Sequence, residues 1–234
     1  MTLQLEPTTK LQTGQARLNE LYVAPQGEGV HMGIPMLFVR LQGCPLRCNW
    51  CDTPQTWDFS GGEILTQEAL LTRILSYNVE WVTITGGEPL SPYHKNTLGF
   101  LLRELHTLRF TEIWTSGMQP IPEEFLPLAS SWVVDIKPPD SGMEVYSKHA
   151  LVNRYRSQDQ VKVVISSYRD LDFAIEAEKK LKGYPTFLLS PAFAYEDFVP
   201  EIDPKEVSNF VRDHPRFRLS LQTHKFLFGD EKGR

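Results

Sequence analysis

Cysteine is scarce in this chain: there are three, and all of them fall between Leu41 and Thr53, in the run LQGCPLRCNWCDT. An odd number at such short spacing, with no sign of secretion, speaks against a disulfide scaffold. Positive charge is not in excess either. Lys and Arg number 24 against 29 Asp and Glu, for a net charge of −5, which argues against a broad phosphate-binding surface and so against nucleic acid as a partner. No apolar run reaches the roughly 18 residues of a membrane span, and the opening MTLQLEPTTKLQTGQ has no signal-peptide core. The expected compartment is therefore cytoplasmic, where thiols stay reduced. Linkers, low-complexity tracts and internal repeats are missing, so 234 residues suit one domain over 1–234, with residues 1–18 as a loose polar arm.

What is present is concentrated in Cys44, Cys48 and Cys51. Thiolates are soft ligands for zinc, copper(I) or iron–sulfur, and CxxxCxxC spacing lets three of them curl round one metal centre. Three is one short of a closed site, since structural zinc and ordinary electron-transfer clusters take four protein ligands. A cluster held by three thiolates keeps one iron open, as a catalytic metal requires. Zinc completed by His31 or a distant histidine is the competing arrangement.

Around this loop the pattern alternates. Strands are predicted at Met36–Gln42, Val79–Thr85, Phe110–Thr115, Trp132–Ile136, Gln160–Ser166, Thr186–Leu189 and Phe217–Leu221. Helical spacing covers Thr66–Tyr77, Thr97–Leu108, Glu123–Ala129, Asp170–Leu181 and Pro204–Arg212. Such alternation predicts a parallel sheet with right-handed crossovers, in which ligands sit at the carboxyl ends of the strands. Those ends carry the unusual polar groups: the cysteine loop, Thr85-GGEP, Thr115-Ser116-Gly117, Asp135 to Lys137, Ser190-Pro191, and Gln222 to His224. Arg40 interrupts an apolar strand, and a charge there escapes to solvent or meets an anion. The glycines of Gln26-Gly27-Glu28-Gly29 allow close backbone approach to a ligand, although a surface turn has the same composition.

CxxxCxxC after the first predicted strand, with GGEP closing the next, resembles the radical S-adenosylmethionine (SAM) superfamily. PQGEGVHMGIPMLFVRLQGCPLRCNWCDTPQTW, TITGGEP and LSLQTHKFL are similar to segments of its 7-carboxy-7-deazaguanine synthase (QueE) family. That resemblance implies an α/β fold, a partial TIM-like β/α barrel of parallel strands. It also implies a [4Fe–4S] cluster on Cys44, Cys48 and Cys51, SAM on the open iron, and Mg²⁺ on Thr53. The implied reaction converts 6-carboxy-5,6,7,8-tetrahydropterin to 7-carboxy-7-deazaguanine with loss of ammonia, in queuosine-type 7-deazapurine biosynthesis. By matching position, Pro25, Gln26, Gly27, Glu28, Arg40, Thr85 and His224 face the substrate, and His224 is the candidate catalytic group. Trp50, Cys51, Asp52, Gly87, Glu88, Ser116, Asp135, Ile136, Lys137, Ser190 and Pro191 would face SAM. This chain has Asp135-Ile136-Lys137 where the family often has Ser-Pro-Lys, and Ser190-Pro191 where it often has Gln-Pro. A homodimer and an electron donor such as flavodoxin or ferredoxin are further implications. A glycyl-radical activase shares CxxxCxxC but does not account for QGEG or QTHK; a zinc-held binding module is the non-enzymatic alternative.

Overall fold

Polar sequence at the start of the chain hides a strand. In the computed structural model, which describes residues 11–151, 154–194 and 199–229, strand β1 (Gln15–Pro25) is antiparallel to β2 (Pro35–Leu41) on one side and to β3 (Glu63–Thr66) on the other. The expected loose arm therefore ends earlier than residue 18: Gln15 to Leu18 belong to β1, and residues 1–10 lie outside the described ones. The reason is pairing with β3 along residues 15–18, joined by β2 from Leu18 onward. Ala16 and Leu18 are buried, and so is Arg17, whose guanidinium donates to the carbonyls of Ser60 and Gly61 and to Tyr93 Oη.

The expected alternation follows: α1 (Gln67–Ser76), β4 (Trp81–Gly86), α2 (Lys95–Leu105), β5 (Phe110–Thr115), β6 (Ser131–Ile136), β7 (Arg154–Tyr155), β8 (Gln160–Ile165), α3 (Tyr168–Lys180), β9 (Lys182–Gly183), β10 (Thr186–Pro191), α4 (Pro204–Asp213), β11 (Phe217–Leu219) and α5 (Thr223–Phe228). Helices begin where capping chemistry allows. The hydroxyls of Thr66 and Ser167 accept from Ala69 N and Asp170 N, and Asp203 caps a helix that opens on Pro204. The helix expected over Glu123–Ala129 is reduced to one 3₁₀ turn, Leu126–Leu128, because Pro127 lacks an N–H and clashes with the preceding turn.

Nine strands form one sheet in the order β11-β10-β8-β6-β5-β4-β2-β1-β3. From β2 to β11 all pairs are parallel, and β7 and β9 form a separate two-stranded ribbon. This is a partial β/α barrel. Its outer face carries the apolar residues: Leu70, Ile74, Leu98, Leu101 and Leu102 of α1 and α2 pack on Val39, Val82, Ile84 and Ile113, while Ala174 and Val207 of α3 and α4 pack on Val161, Val163 and Leu189. The concave face is unusual. Where a closed barrel fills its interior with branched apolar side chains, alternation here turns Arg40, Thr83, Thr85, Asp135 and Lys162 inward, and these line a cavity of about 540 Å³.

Candidate active site

The upper wall of the cavity is the cysteine loop. Its root is held by backbone: Gly43 N donates to Thr56 O at 2.9 Å, and Gly43 O accepts from Glu88 N at 3.1 Å. Gly87 sits so close beneath that a Cβ there would overlap the Gly43 carbonyl. Further along, Arg47 Nη1 donates to the carbonyls of Cys44 and Leu46 at 2.7 Å, its guanidinium lies over the Trp57 ring, and Asn49 binds the backbone of Asp140 and Ser141. Cys44, Cys48 and Cys51 are free thiols on the cavity wall. Burial raises all three thiol pKa values, that of Cys48 to about 11 against the pull of Lys137.

Gln42 and His94 anchor the loop from behind. Gln42 Nε2 donates to the carbonyls of Gln55 and Asp58 at 3.0 and 2.8 Å, and His94 Nε2 donates to Gln42 O at 2.7 Å. His94 is fully buried and its Nδ1 has no partner among the described residues. Burial lowers its pKa from 6.5 to about 4. As pH falls below 6.5 the unfolded chain takes up a proton that His94 refuses in the folded one, so this residue's contribution should lower stability by about 3 kcal/mol between 6.5 and 4. Urea midpoints measured against pH should show that decline in the wild type, and His94→Gln should remove it.

The floor is made by the β1–β2 loop. Because β1 is antiparallel to its neighbour, this loop lies at the end of the strands opposite the cysteines, and residues 26–28 reach the cavity from beneath. Gln26 Nε2 donates to Glu112 Oε1 at 2.8 Å, and the same carboxylate accepts from Trp114 Nε1 at 2.7 Å, faces His31 Nδ1 at 2.5 Å and accepts from Gln160 Nε2 at 3.2 Å. Glu28 is ion-paired with Lys162 and accepts from Gln222 Nε2 at 3.0 Å. Gly27 O accepts from both N and Oγ1 of Thr223 at 3.0 Å, and a Cβ on Gly27 would strike the His224 ring. QGEG and QTHK, nearly the full length of the chain apart, are thus in direct contact.

The side walls carry charge. Arg40 Nε donates to Glu20 Oε2 at 2.9 Å and Nη2 to Tyr22 Oη at 2.7 Å, with Thr85 as its register partner on β4. His224 Nε2 stands 3.9 Å from Asp52 Oδ2. Although burial alone would raise the Asp52 pKa, His224, Lys225 and Arg40 pull it well below the usual carboxylate range. Lys137 pairs with Asp135 at 3.0 Å; burial works against its charge, but Asp135 and Cys48 outweigh burial and raise its pKa. Trp50 packs on Val164 and Ala192, and Thr53 Oγ1 lies 3.9 Å from Cys51 Sγ.

Several expected contacts fall elsewhere. Ile136, between two cavity-facing residues, points into the outer apolar core, as strand alternation demands. Ser190 and Pro191 are buried inside β10, and Ala192 and Phe193 reach the cavity in their place. Pro25 is exposed at the end of β1. Glu88 borders the cavity, yet its carboxylate accepts from Leu90 N, Thr115 Oγ1 and both N and Oγ of Ser116, which makes it a tie between two strand ends. Lys162, Glu112 and Trp114 line or brace the cavity without belonging to any of the expected site residues. The signal existed, because a charge inside QVKVVIS or FTEIWT is the same anomaly that marks Arg40.

The donor set suits an iron–sulfur cluster. Three free thiols on one loop face a single cavity, and among the described residues no three His, Cys, Asp or Glu side chains converge to hold a single ion. A cluster attaches each thiolate to a different iron and needs no such convergence. The space bounded by Gly87, Ser116, Asp135 and Lys137 offers a nucleotide cofactor both carboxylate and ammonium partners beside the sulfurs.

Comparison with known proteins agrees. A family described as "4Fe-4S single cluster domain" matches residues 25–119. A 7-carboxy-7-deazaguanine synthase of Koribacter versatilis is 32% identical over 226 residues, covering 92% of this chain and 98% of its own; that of Methanospirillum hungatei is 32% identical over 222 residues, covering 92% and 87%. Among solved structures, QueE from Escherichia coli superposes with a TM-score of 0.67 at 25% identity, over 90% of this chain and 95% of its own. Streptococcus suis SuiB, crystallised with its precursor peptide SuiA, shares the fold with a TM-score of 0.53 at 16% identity, over 79% of this chain and 48% of its own.

Proposed function

The chain belongs to the 7-carboxy-7-deazaguanine synthase family, and from that membership together with its site we infer that it is a radical SAM enzyme forming 7-carboxy-7-deazaguanine from 6-carboxy-5,6,7,8-tetrahydropterin with loss of ammonia. One observation carries this reading: the cysteine loop, GGEP, QGEG and QTHK, scattered along the sequence, border or brace one cavity. Membership of this family displaces the glycyl-radical activase and the zinc-held module.

Cys44, Cys48 and Cys51 would hold the [4Fe–4S] cluster. Bound there together with SAM, the cluster would supply one-electron reduction and, through it, the radical chemistry of hydrogen abstraction. The protein's own part is orientation and exclusion of water. Arg40, already aligned by Glu20 and Tyr22, presents a planar cation suited to the substrate carboxylate. Gln26 and Glu28, fixed by Glu112, Lys162 and Gln222, present amide and carboxylate to the pterin edge. Asp52 close to His224 keeps a proton donor and an acceptor beside the cluster loop. Lys137 and Ser116 face the SAM side.

Thr53 would ligate Mg²⁺ through its hydroxyl, one protein oxygen being enough for an ion that keeps waters and takes substrate oxygens. Thr53→Ala should lower turnover and flatten its dependence on added Mg²⁺; an unchanged metal response would remove Thr53 as ligand. A flavodoxin or ferredoxin as electron donor, a homodimer and a single-domain chain complete the reading. No helix among the described residues is long and apolar enough to cross a membrane. The deciding experiment is mass analysis of products after mixing anaerobically reconstituted protein with SAM, dithionite, Mg²⁺ and the carboxypterin. A product at the mass of 7-carboxy-7-deazaguanine is expected, and its absence with SAM cleavage intact would overturn the reading.

A further inference from the structure

Lys162 is a cation in the middle of β8, only 3% exposed, with Asp135 and Leu188 as register partners. Its ammonium is ion-paired with Glu28 and lies 5.4 Å from the centre of the Trp114 ring. That ring is itself held by the bond from its N–H to Glu112. Burial works against the Lys162 charge, but Glu28 and then Asp135 outweigh burial and raise its pKa, so it remains an ammonium. Lys162, Glu28, Trp114 and Gln222 all line the cavity. The pair is therefore a built donor–acceptor site and not a surface salt bridge.

Hydrogen-bonding capacity is left over on both partners, donors on Lys162 and acceptors on Glu28. An ammonium has three N–H groups and a carboxylate about four lone-pair positions; the Glu28 oxygens each take one protein donor, from Lys162 and Gln222. The adjacent arrangement, two acceptor oxygens followed by a cationic donor, is the complement of a 2-amino-4-oxo pyrimidine edge. Such an edge presents an amino group, a ring N–H and a carbonyl oxygen in that order. We propose that Lys162 is a specificity-determining residue, donating to the 4-oxo oxygen of the pterin while Glu28 accepts from its 2-amino and ring N–H groups. This rests on the function proposed above. It adds a consequence: the site rejects a 2,4-diamino ring, whose 4-amino hydrogens would point at the ammonium.

The test uses the reconstituted enzyme with 6-carboxypterin and its 2,4-diamino counterpart as competing ligands at neutral pH. Inhibition constants and quenching of tryptophan fluorescence give two readouts, the second independent of turnover. Wild type should bind the 4-oxo compound on the order of a hundredfold more tightly, since a buried donor left facing another donor is heavily disfavoured. Lys162→Arg, which keeps the charge, should keep the preference. Lys162→Gln, whose amide oxygen accepts from a 4-amino group, should cut the preference at least about tenfold and improve binding of the diamino ring, a gain that damage to the floor would not produce. Equal binding of the two rings by the wild type would overturn the proposal whatever the variants do. So would a Lys162→Gln enzyme that weakens both ligands alike or keeps the wild-type preference. Failure of the wild type to make 7-carboxy-7-deazaguanine would instead count against the function itself.

Discussion

Gly87→Ala is expected to leave a folded protein that retains little iron or sulfide after anaerobic reconstitution. Gly87 N donates to Leu41 O at 2.7 Å and the next residue's N–H holds Gly43 O, so the backbone of GGEP lies directly against the root of the cysteine loop. An added Cβ meets the Gly43 carbonyl, and what it meets is backbone, which has no rotamer to yield. Overpacking of this kind costs about 1–3 kcal/mol, and relief comes from moving the loop that bears Cys44. Iron and sulfide near four per chain and absorbance near 400 nm in the wild type, both strongly reduced in the variant, would support this account. If Gly87 served only as a SAM contact, the cluster would load normally and only SAM affinity would fall.

Glu88→Ala should cause the larger loss of stability, on the order of 3 kcal/mol or more, read as a lower urea midpoint with little change in slope. The side chain is 1% exposed and accepts from Thr115 Oγ1 at 2.6 Å, Ser116 N at 2.7 Å, Leu90 N at 2.9 Å and the Ser116 hydroxyl. Its removal leaves buried donors unmet and frees the end of β5 from the end of β4. SAM binding should weaken in consequence, because Ser116 loses its anchor. Normal stability combined with lost SAM binding would show instead that Glu88 is a direct ligand.

The helices and the parallel strands were legible from residue pattern because each depends on local information. Thr66 before an apolar stripe announces a helix start, the spacing over Asp170–Leu181 falls on α3 although the helix begins two residues earlier behind Ser167, and FTEIWT coincides with β5. Misreadings came where a neighbour decided the outcome. Residues 15–18 look like a tail but pair along their length with β3, joined by β2 at Leu18, and Glu123–Ala129 has helical spacing that Pro127 cuts to a single turn. In the site, Arg40 stands out as a charge in an apolar run, whereas Lys162 and Glu112, equally anomalous, have a role only because the loop from Gln26 to Glu28 folds against them.

Residue order alone placed the three soft ligands on one loop, because Cys44, Cys48 and Cys51 lie within eight residues of one another and need no distant partner to share a wall of the cavity. It also settled the alternation of strands and helices, which follows from hydrophobic period. The folded chain alone revealed which side of each strand faces the ligand and which polar residues brace others. Ile136 faces the core while Asp135 and Lys137 flank it on the cavity side, Glu88 ties strands together, and Glu28 finds Lys162 across more than half the chain. Those outcomes depend on contacts between segments far apart in sequence, and no local pattern encodes which buried charge will meet which.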